Sequence, residues 1–184
     1  MRIIISLLLL VYATSNAQVS PLFYTNTGKI SFKSESKQEL IRASSDEMQG
    51  IIDEANKTYV FKVKIRTFNG FNSALQQEHF NEKFLESENF PEATFMGKII
   101  EDFDSKKDGV FEIRAKGKLW IHGVENERII RSIVTIKNGI VNIQSHFSVA
   151  LSDHNIKVPK VVHEKVSTEI SVEISAQLKK KTAN

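Results

Sequence analysis

The side chains best suited to chemistry are five histidines, His79, His122, His146, His154 and His163, in a chain of 184 residues that has no cysteine. A helical zinc site needs two ligands one turn apart, and no histidine pair has that spacing. No serine stands in a Gly-x-Ser-x-Gly elbow, and no glycine-rich loop follows a strand to cradle a phosphate. The carboxylates that fall in regular segments, Glu112, Glu169 and Glu173, alternate with apolar residues, which puts them on a wetted face rather than in a paired acid and base arrangement. The residues therefore give no support for catalysis or for a cofactor. His79 falls in a helical segment, His122 at a strand end, and His154 and His163 in a loop region, each a structural histidine or a polar contact by residue type alone. His146 shares its parity with Asn142 and Gln144 and belongs on the solvent face.

The elements that must position these groups are written in a twofold alternation. In Tyr59 to Arg66 the odd positions are apolar and nearly all the even ones basic, and Phe111 to Leu119 and Val166 to Ile174 repeat the pattern. Such segments are strands with one apolar face. Strand signals run over Lys29 to Lys33, Leu40 to Ala43, Met48 to Asp53, Thr58 to Phe68, Ala93 to Ile100, Val110 to Ile121, Arg128 to Lys137, Ile140 to Leu151 and Val166 to Leu178. Asn138-Gly139 is a two-residue hairpin turn. One segment breaks the β pattern. Ser73 and Gln76 form a capping box, and Leu75, His79, Phe80 and Phe84 then fall along one face of a helix of about three turns.

Arg2, the uncharged run Ile3 to Ala13 and the small residues Ser15 and Ala17 read as a secretory signal, residues 1–17, cleaved near Ala17. The run is short of the roughly 20 residues of a membrane span. Residues 18–184 then form one domain in the periplasm or outside the cell, with no stable membrane insertion. The net charge of +3 falls to +2 without Arg2, and lysines and glutamates are interleaved, which argues against nucleic acid as a partner. The Lys179-Lys180-Lys181 run reads as a frayed, solvated tail.

About eight two-faced strands fit a sandwich, a soluble barrel or a membrane barrel. Strands longer than ten residues extend roughly 33 Å at about 3.3 Å per residue, which favours an elongated barrel over a sandwich. A membrane barrel needs aromatic girdles at two levels, whereas the aromatics here gather around the helix and central strands. The expected fold is all-β, an elongated antiparallel barrel with one inserted amphipathic helix. Its inward positions are Tyr59, Phe61, Val63, Ile65, Phe111, Ile113, Ala115, Leu119 and Ile121, with Ile170, Val172 and Ile174. An interior of this size is either filled by side chains or holds one slim ligand. Gly97, Ala115 and Gly117 share the inward parity and are expected to leave room. Phe68, Phe71, Phe80, Phe84, Phe90 and Phe95 flank the helix, as an aromatic mouth or, more simply, as pins that hold it to the barrel.

Several segments together resemble the YceI-like family: Gly28-Lys29-Ile30-Ser31-Phe32, Phe68-Asn69-Gly70-Phe71, His79 to Leu85, Phe90 to Phe95 and Phe147 to Pro159. Gly117 to Val124 is similar to that family's G-x-L-x-I-H-G-V strand end. The resemblance implies a lipocalin-like barrel that binds a polyisoprenoid or other long-chain lipid, without an established catalytic motif. Trp120 departs from the family pattern, where a small hydroxylated residue is frequent, and so does Ser73 to Leu75, where a methionine is often found. A bulky aromatic beside the His122 turn is expected to alter ligand preference. The ligand-binding set expected is Phe32, Tyr59, Phe61, Val63, Phe71, His79, Phe80, Phe84, Phe95, Ile113, Leu119, Ile121, His122, Ile170 and Val172. The expected function is an exported lipid-binding protein. The rival readings are a metal-binding or stress-related protein using His79 and His122, and a homodimeric interaction module.

Overall fold

A computed structural model describes residues 22–181 of the chain. The proposed signal segment lies outside the described residues. Eight strands follow one another as an up-and-down meander: β1 (Leu22–Glu35), β2 (Leu40–Asp53), β3 (Thr58–Lys64), β4 (Glu92–Ile99), β5 (Gly109–Ile121), β6 (Val124–Lys137), β7 (Ile140–Ala150) and β8 (Glu169–Lys180). Each pairs antiparallel with the next, and β1 pairs with β8 through Ile30 with Ile174 and Phe32 with Val172, closing the barrel. Closure gives every strand a partner on both sides over at least part of its length, which suits a chain with so many long strands.

The alternation does what its period requires. Tyr59, Val63, Ile113, Leu119 and Val172 are buried, while Val60, Lys64, Arg114, Lys116, Lys118 and Glu173 are exposed. Diagonal ion pairs run along the outer face of β5 and β6, Lys116 with Glu127 at 2.9 Å, Lys118 with Glu125 at 2.8 Å and Arg131 with Glu112 at 3.2 Å. An outer face so charged is the reverse of a lipid-facing one. Asn138-Gly139 makes the expected turn, and His122-Gly123 makes a second of the same kind; all four residues have positive φ.

The sequence expectations need four corrections. The two signals at Leu40 to Ala43 and Met48 to Asp53 are one strand, because polar Ser45 continues it, buried and bonded through its hydroxyl to that of Thr67 at 2.6 Å. β3 ends at Lys64, where Ile65–Thr67 turn in a single 3-10 turn. Lys179 and Lys180 are not frayed: they pair with Tyr24 and Phe23 in the β1–β8 ladder. Gly97 and Gly117, paired across β4 and β5, do not leave room. A Cβ on Gly97 would collide with Lys116 O, and one on Gly117 with Met96 O and the Tyr59 hydroxyl.

The β1–β2, β3–β4, β5–β6 and β7–β8 connections share one end of the barrel, the upper end. The helix lies there. Ala74–His79 (α1) is capped by the Ser73 side chain, which accepts from Gln76 N at 3.2 Å, and Phe80–Phe84 continues it as a wider turn. At the lower end Phe23, Met48, Ile136, Val141 and Leu178 are almost wholly buried and plug the floor.

Candidate functional site

Above that floor the interior holds two stacked apolar chambers. The lower has a volume of about 110 Å³ and is walled by Met48, Ile52, Tyr59, Phe61, Phe95, Phe103, Ile113, Ala115, Val134, Ile143 and their neighbours. The upper has about 390 Å³ and is walled by Phe32, Ile65, Phe68, Phe71, Phe80, Phe84, Ile121, Val149, Leu151, Ile156, Ile170 and Val172. Ile30, Val63, Ala93, Leu119 and Phe147 border both and form a waist.

The upper chamber is wider because two ladders stop halfway. β2 and β3 pair only from Gln49–Lys62 down to Asp53–Thr58, and β6 and β7 only from Ser132–Ser145 down to Lys137–Ile140. Above those rungs the strands splay, and other groups take over the backbone bonding. Asn69, from the segment before the helix, exchanges two backbone bonds of 2.8 Å with Ser44 of β2. Across the other seam Arg128 donates to Ser148 O and Asn126 to Asp153 O, both at 2.6 Å.

Polar groups are sparse and placed unevenly. Ser34, Glu39, Gln76, His79 and Lys165 border the upper chamber. In the lower chamber Ser132 and Ser145 bond each other at 2.6 Å. Tyr59 is 4% exposed, and its hydroxyl has no partner. Burial pushes the Tyr59 phenol well above its usual pKa, so it stays protonated. The whole arrangement suits a slender apolar molecule held by shape, with one or two polar contacts.

Comparison with known proteins agrees with this geometry. A family model described as the YceI-like domain matches residues 15–178. The chain belongs to the YceI-like family. No curated protein sequence matches it. Among solved structures, a polyisoprenoid binding domain from Saccharophagus degradans superposes with a TM-score of 0.72 at 14% identity, covering 88% of this chain and 99% of that one. Burkholderia cenocepacia BcnA gives 0.68 at 13% identity, over 82% and 95% of the two chains. A Campylobacter jejuni YCEI protein gives 0.57 at 16%, over 76% and 84%. At these identities the likeness is one of fold.

In this YceI-like barrel every residue of the expected ligand-binding set except His122 borders a chamber. Tyr59, Phe61, Phe95 and Ile113 face the lower one, Phe32, Phe71, His79, Phe80, Phe84, Ile121, Ile170 and Val172 the upper, and Val63 and Leu119 the waist. His122 instead braces the upper loops. Its Nδ1–H donates to His154 O at 3.1 Å, its Nε2 lies 3.2 Å from Glu86 Oε1, and the Phe90 ring meets it edge-on at 4.6 Å. His154, 1% exposed, donates from Nδ1 to Val124 O at 3.2 Å, and desolvation lowers its pKa. Among the described residues no group of three or more His, Asp or Glu side chains is placed to hold a metal, so the rival built on His79 and His122 has no geometry behind it.

Trp120 points outward beneath the Lys118 ammonium, 5.9 Å from its ring, and borders neither chamber of the YceI-like barrel. The phenylalanines both pin and line. Phe80 stacks on Phe32 at 5.3 Å and packs on Phe68 and Phe71 at 5.7 and 5.1 Å, fixing the helix while walling the upper chamber. Sequence reasoning missed Ile130, Ala93, Phe147 and Val149 as lining residues. The signal was available: Ile143-Gln144-Ser145-His146-Phe147-Ser148-Val149 carries the same alternation as β5.

Proposed function

We propose that this YceI-like protein is an exported carrier that holds a polyisoprenoid or similar long apolar chain inside its barrel, for carriage or sequestration. The observation that carries the reading is the pair of stacked apolar chambers, closed below by a packed floor and bordered by polar groups only above and at a few interior points. The polyisoprenoid binding domain from Saccharophagus degradans, which shares the fold, supports the choice of ligand class. A cavity of about 150 Å³ takes one benzene, or roughly 25 Å³ per carbon. On that scale the lower chamber holds about four carbons and the upper about fifteen, so roughly four isoprene units lie inside and a longer chain extends past the upper rim.

Each buried methylene contributes about 0.8 kcal/mol, and ten of them about 8 kcal/mol before ordering costs, which is the scale of micromolar binding. We read the role as binding, without a reaction. Export follows from the leader-like residues 1–17, whose removal would leave Gln18 as the first residue. Native mass spectrometry and solvent extraction of the purified protein test the reading. The expected result is a co-purifying apolar chain, rebound after delipidation, on a polypeptide beginning at Gln18. A protein that yields no chain and takes up neither isoprenoids nor fatty chains would sink it.

A further inference from the structure

Val161, at 89% exposure, is the most exposed large apolar residue among those described. It stands in the β7–β8 connection at the upper end, and Pro159 beside it is exposed as well. Looseness does not account for this, because Lys160–Val162 form a 3-10 turn that is bonded on every side. Val162 N donates to Pro159 O at 3.0 Å, Lys165 N and Val166 N donate to Val162 O at 2.9 and 3.0 Å, and His163 Nε2–H donates to Val158 O at 2.7 Å. The β1–β2 turn holds the same segment from its flank, where Gln38 N and the Ser36 hydroxyl donate to Glu164 O at 3.0 and 2.7 Å. A backbone fixed at so many points keeps Val161 outside. The turn also reaches inward, since Val162, Lys165 and Val166 border the upper chamber. Lys165 and His79 border that chamber and are themselves exposed, which marks where it meets solvent.

Charge is divided between the two sides of this opening. Residues 157–165 carry Lys157, Lys160 and Lys165, all exposed, against the single acid Glu164, whose carboxylate turns to the Gln38 side-chain amide. On the helix side, residues 74–90 carry Glu78, Glu82, Glu86 and Glu88 against Lys83. We propose that residues 157–165 form a docking tip for the surface of a bilayer bearing anionic phospholipids, with Val161 entering the headgroup layer and Lys157 and Lys160 lying among the phosphates. A tip of nine residues falls short of the roughly 20–30 residues a side of a stable protein interface. A bilayer, by contrast, accepts a single apolar side chain and adds an attraction for each lysine. The acidic helix side is repelled by the same surface, so the barrel leans onto its β7–β8 side. The inference rests on the chain-carrier reading for its purpose: docked in this way, a chain passes from lipid along Val161 and Val162 into the upper chamber with little exposure to water.

The test sediments the delipidated protein with vesicles of phosphatidylcholine, alone or mixed in equal parts with phosphatidylglycerol. Binding is expected to the mixed vesicles at low salt and is expected to be lost near 1 M salt, where charges are screened beyond about 3 Å. Lys157→Gln combined with Lys160→Gln is expected to weaken it about 25-fold, at about fivefold for each lysine near such a surface. Val161→Ser is expected to weaken it about tenfold. Ile51 is an exposed apolar residue at the lower end, and Ile51→Ser is expected to bind as the natural protein does. Mixed vesicles carrying geranylgeraniol supply a second reading: Val161→Ser takes up the chain from them more slowly, yet binds geranylgeraniol added from solution as tightly as the natural protein. Absence of binding to the mixed vesicles, or binding that all four proteins share equally, would overturn the proposal. A natural protein that docks yet takes up geranylgeraniol from neither source upholds the tip and overturns the chain-carrier reading instead.

Discussion

Obstructing the waist separates the contributions of the two chambers. Ala93 lies on β4 opposite Val63 and borders both. Ala93→Phe places an added ring, about the volume of one benzene, where a chain must pass to reach the lower chamber. A ligand that cannot pass forfeits the roughly four carbons that the 110 Å³ below would bury. At about 0.8 kcal/mol per methylene the loss is about 3 kcal/mol, or some two powers of ten in affinity. The assay is a series of methyl ketones of increasing length, titrated by displacement of an apolar fluorophore. In the natural protein affinity is expected to climb until the chain reaches about 20 carbons. In the variant it levels off near 15 and the longest chains lose the most. Ala93→Val serves as the control for overpacking, which costs about 1–3 kcal/mol of stability by itself. Identical length profiles in a folded Ala93→Phe protein would refute the stacked-chamber reasoning.

Three further outcomes follow from the same geometry. Gly117→Ala forces a methyl against Met96 O and the Tyr59 hydroxyl and is expected to cost about 1–3 kcal/mol in chemical denaturation; an unchanged midpoint would show that β4 and β5 are not in close approach there. His154 has its folded pKa held below its unfolded value of about 6.5 by burial, so the unfolded chain binds the extra proton first. Stability from this residue is therefore complete above about pH 6.5 and declines as pH falls from there toward the lower folded pKa, and His154→Gln is expected to flatten that part of the stability profile measured by urea titration. Ser73→Ala removes the cap on α1 and is expected to cost about 1 kcal/mol locally, read as faster amide exchange at Gln76 and the following turn with the barrel strands unaffected.

How far the sequence carried depends on what kind of rule governed each residue. Inward parity in β3, β5 and β8 needs only the twofold period, and Tyr59, Ile113 and Val172 lie where it puts them. Helix position followed from Ser73 and Gln76, because caps act within a few residues. What required contacts between distant residues was illegible. Ser45 reads as a break in polarity until Thr67, 22 residues on, supplies its partner. Gly117 reads as empty space until Tyr59, from a strand two places away, occupies it. His122 reads as either a ligand contact or a buried hydrogen bond, and only the fold decides for the second by bringing Glu86 and His154 to its two nitrogens. The end of β3 at Lys64 was hidden because alternation continues through the sequence after the backbone has turned.

The same chain that packs its floor with Phe23, Met48, Ile136, Val141 and Leu178 leaves space directly above them. A void of 110 Å³ in an apolar core costs about 2–3 kcal/mol at roughly 24 cal/mol per Å³. That is a sizeable share of the 5–15 kcal/mol by which domains are typically stable. Larger side chains at Ala93 or Ala115, both on its wall, would reduce it without touching the backbone. The upper chamber has a different origin, since its width comes from two ladders that stop early. There the bonds given up along β2–β3 and β6–β7 are partly replaced by Asn69, Asn126 and Arg128, so the opening is held by specific groups rather than by absent ones. A packing defect has no need of such replacements. Small residues below and bonded seams above both keep the interior clear, and a space kept clear at a cost in stability is a space for an occupant.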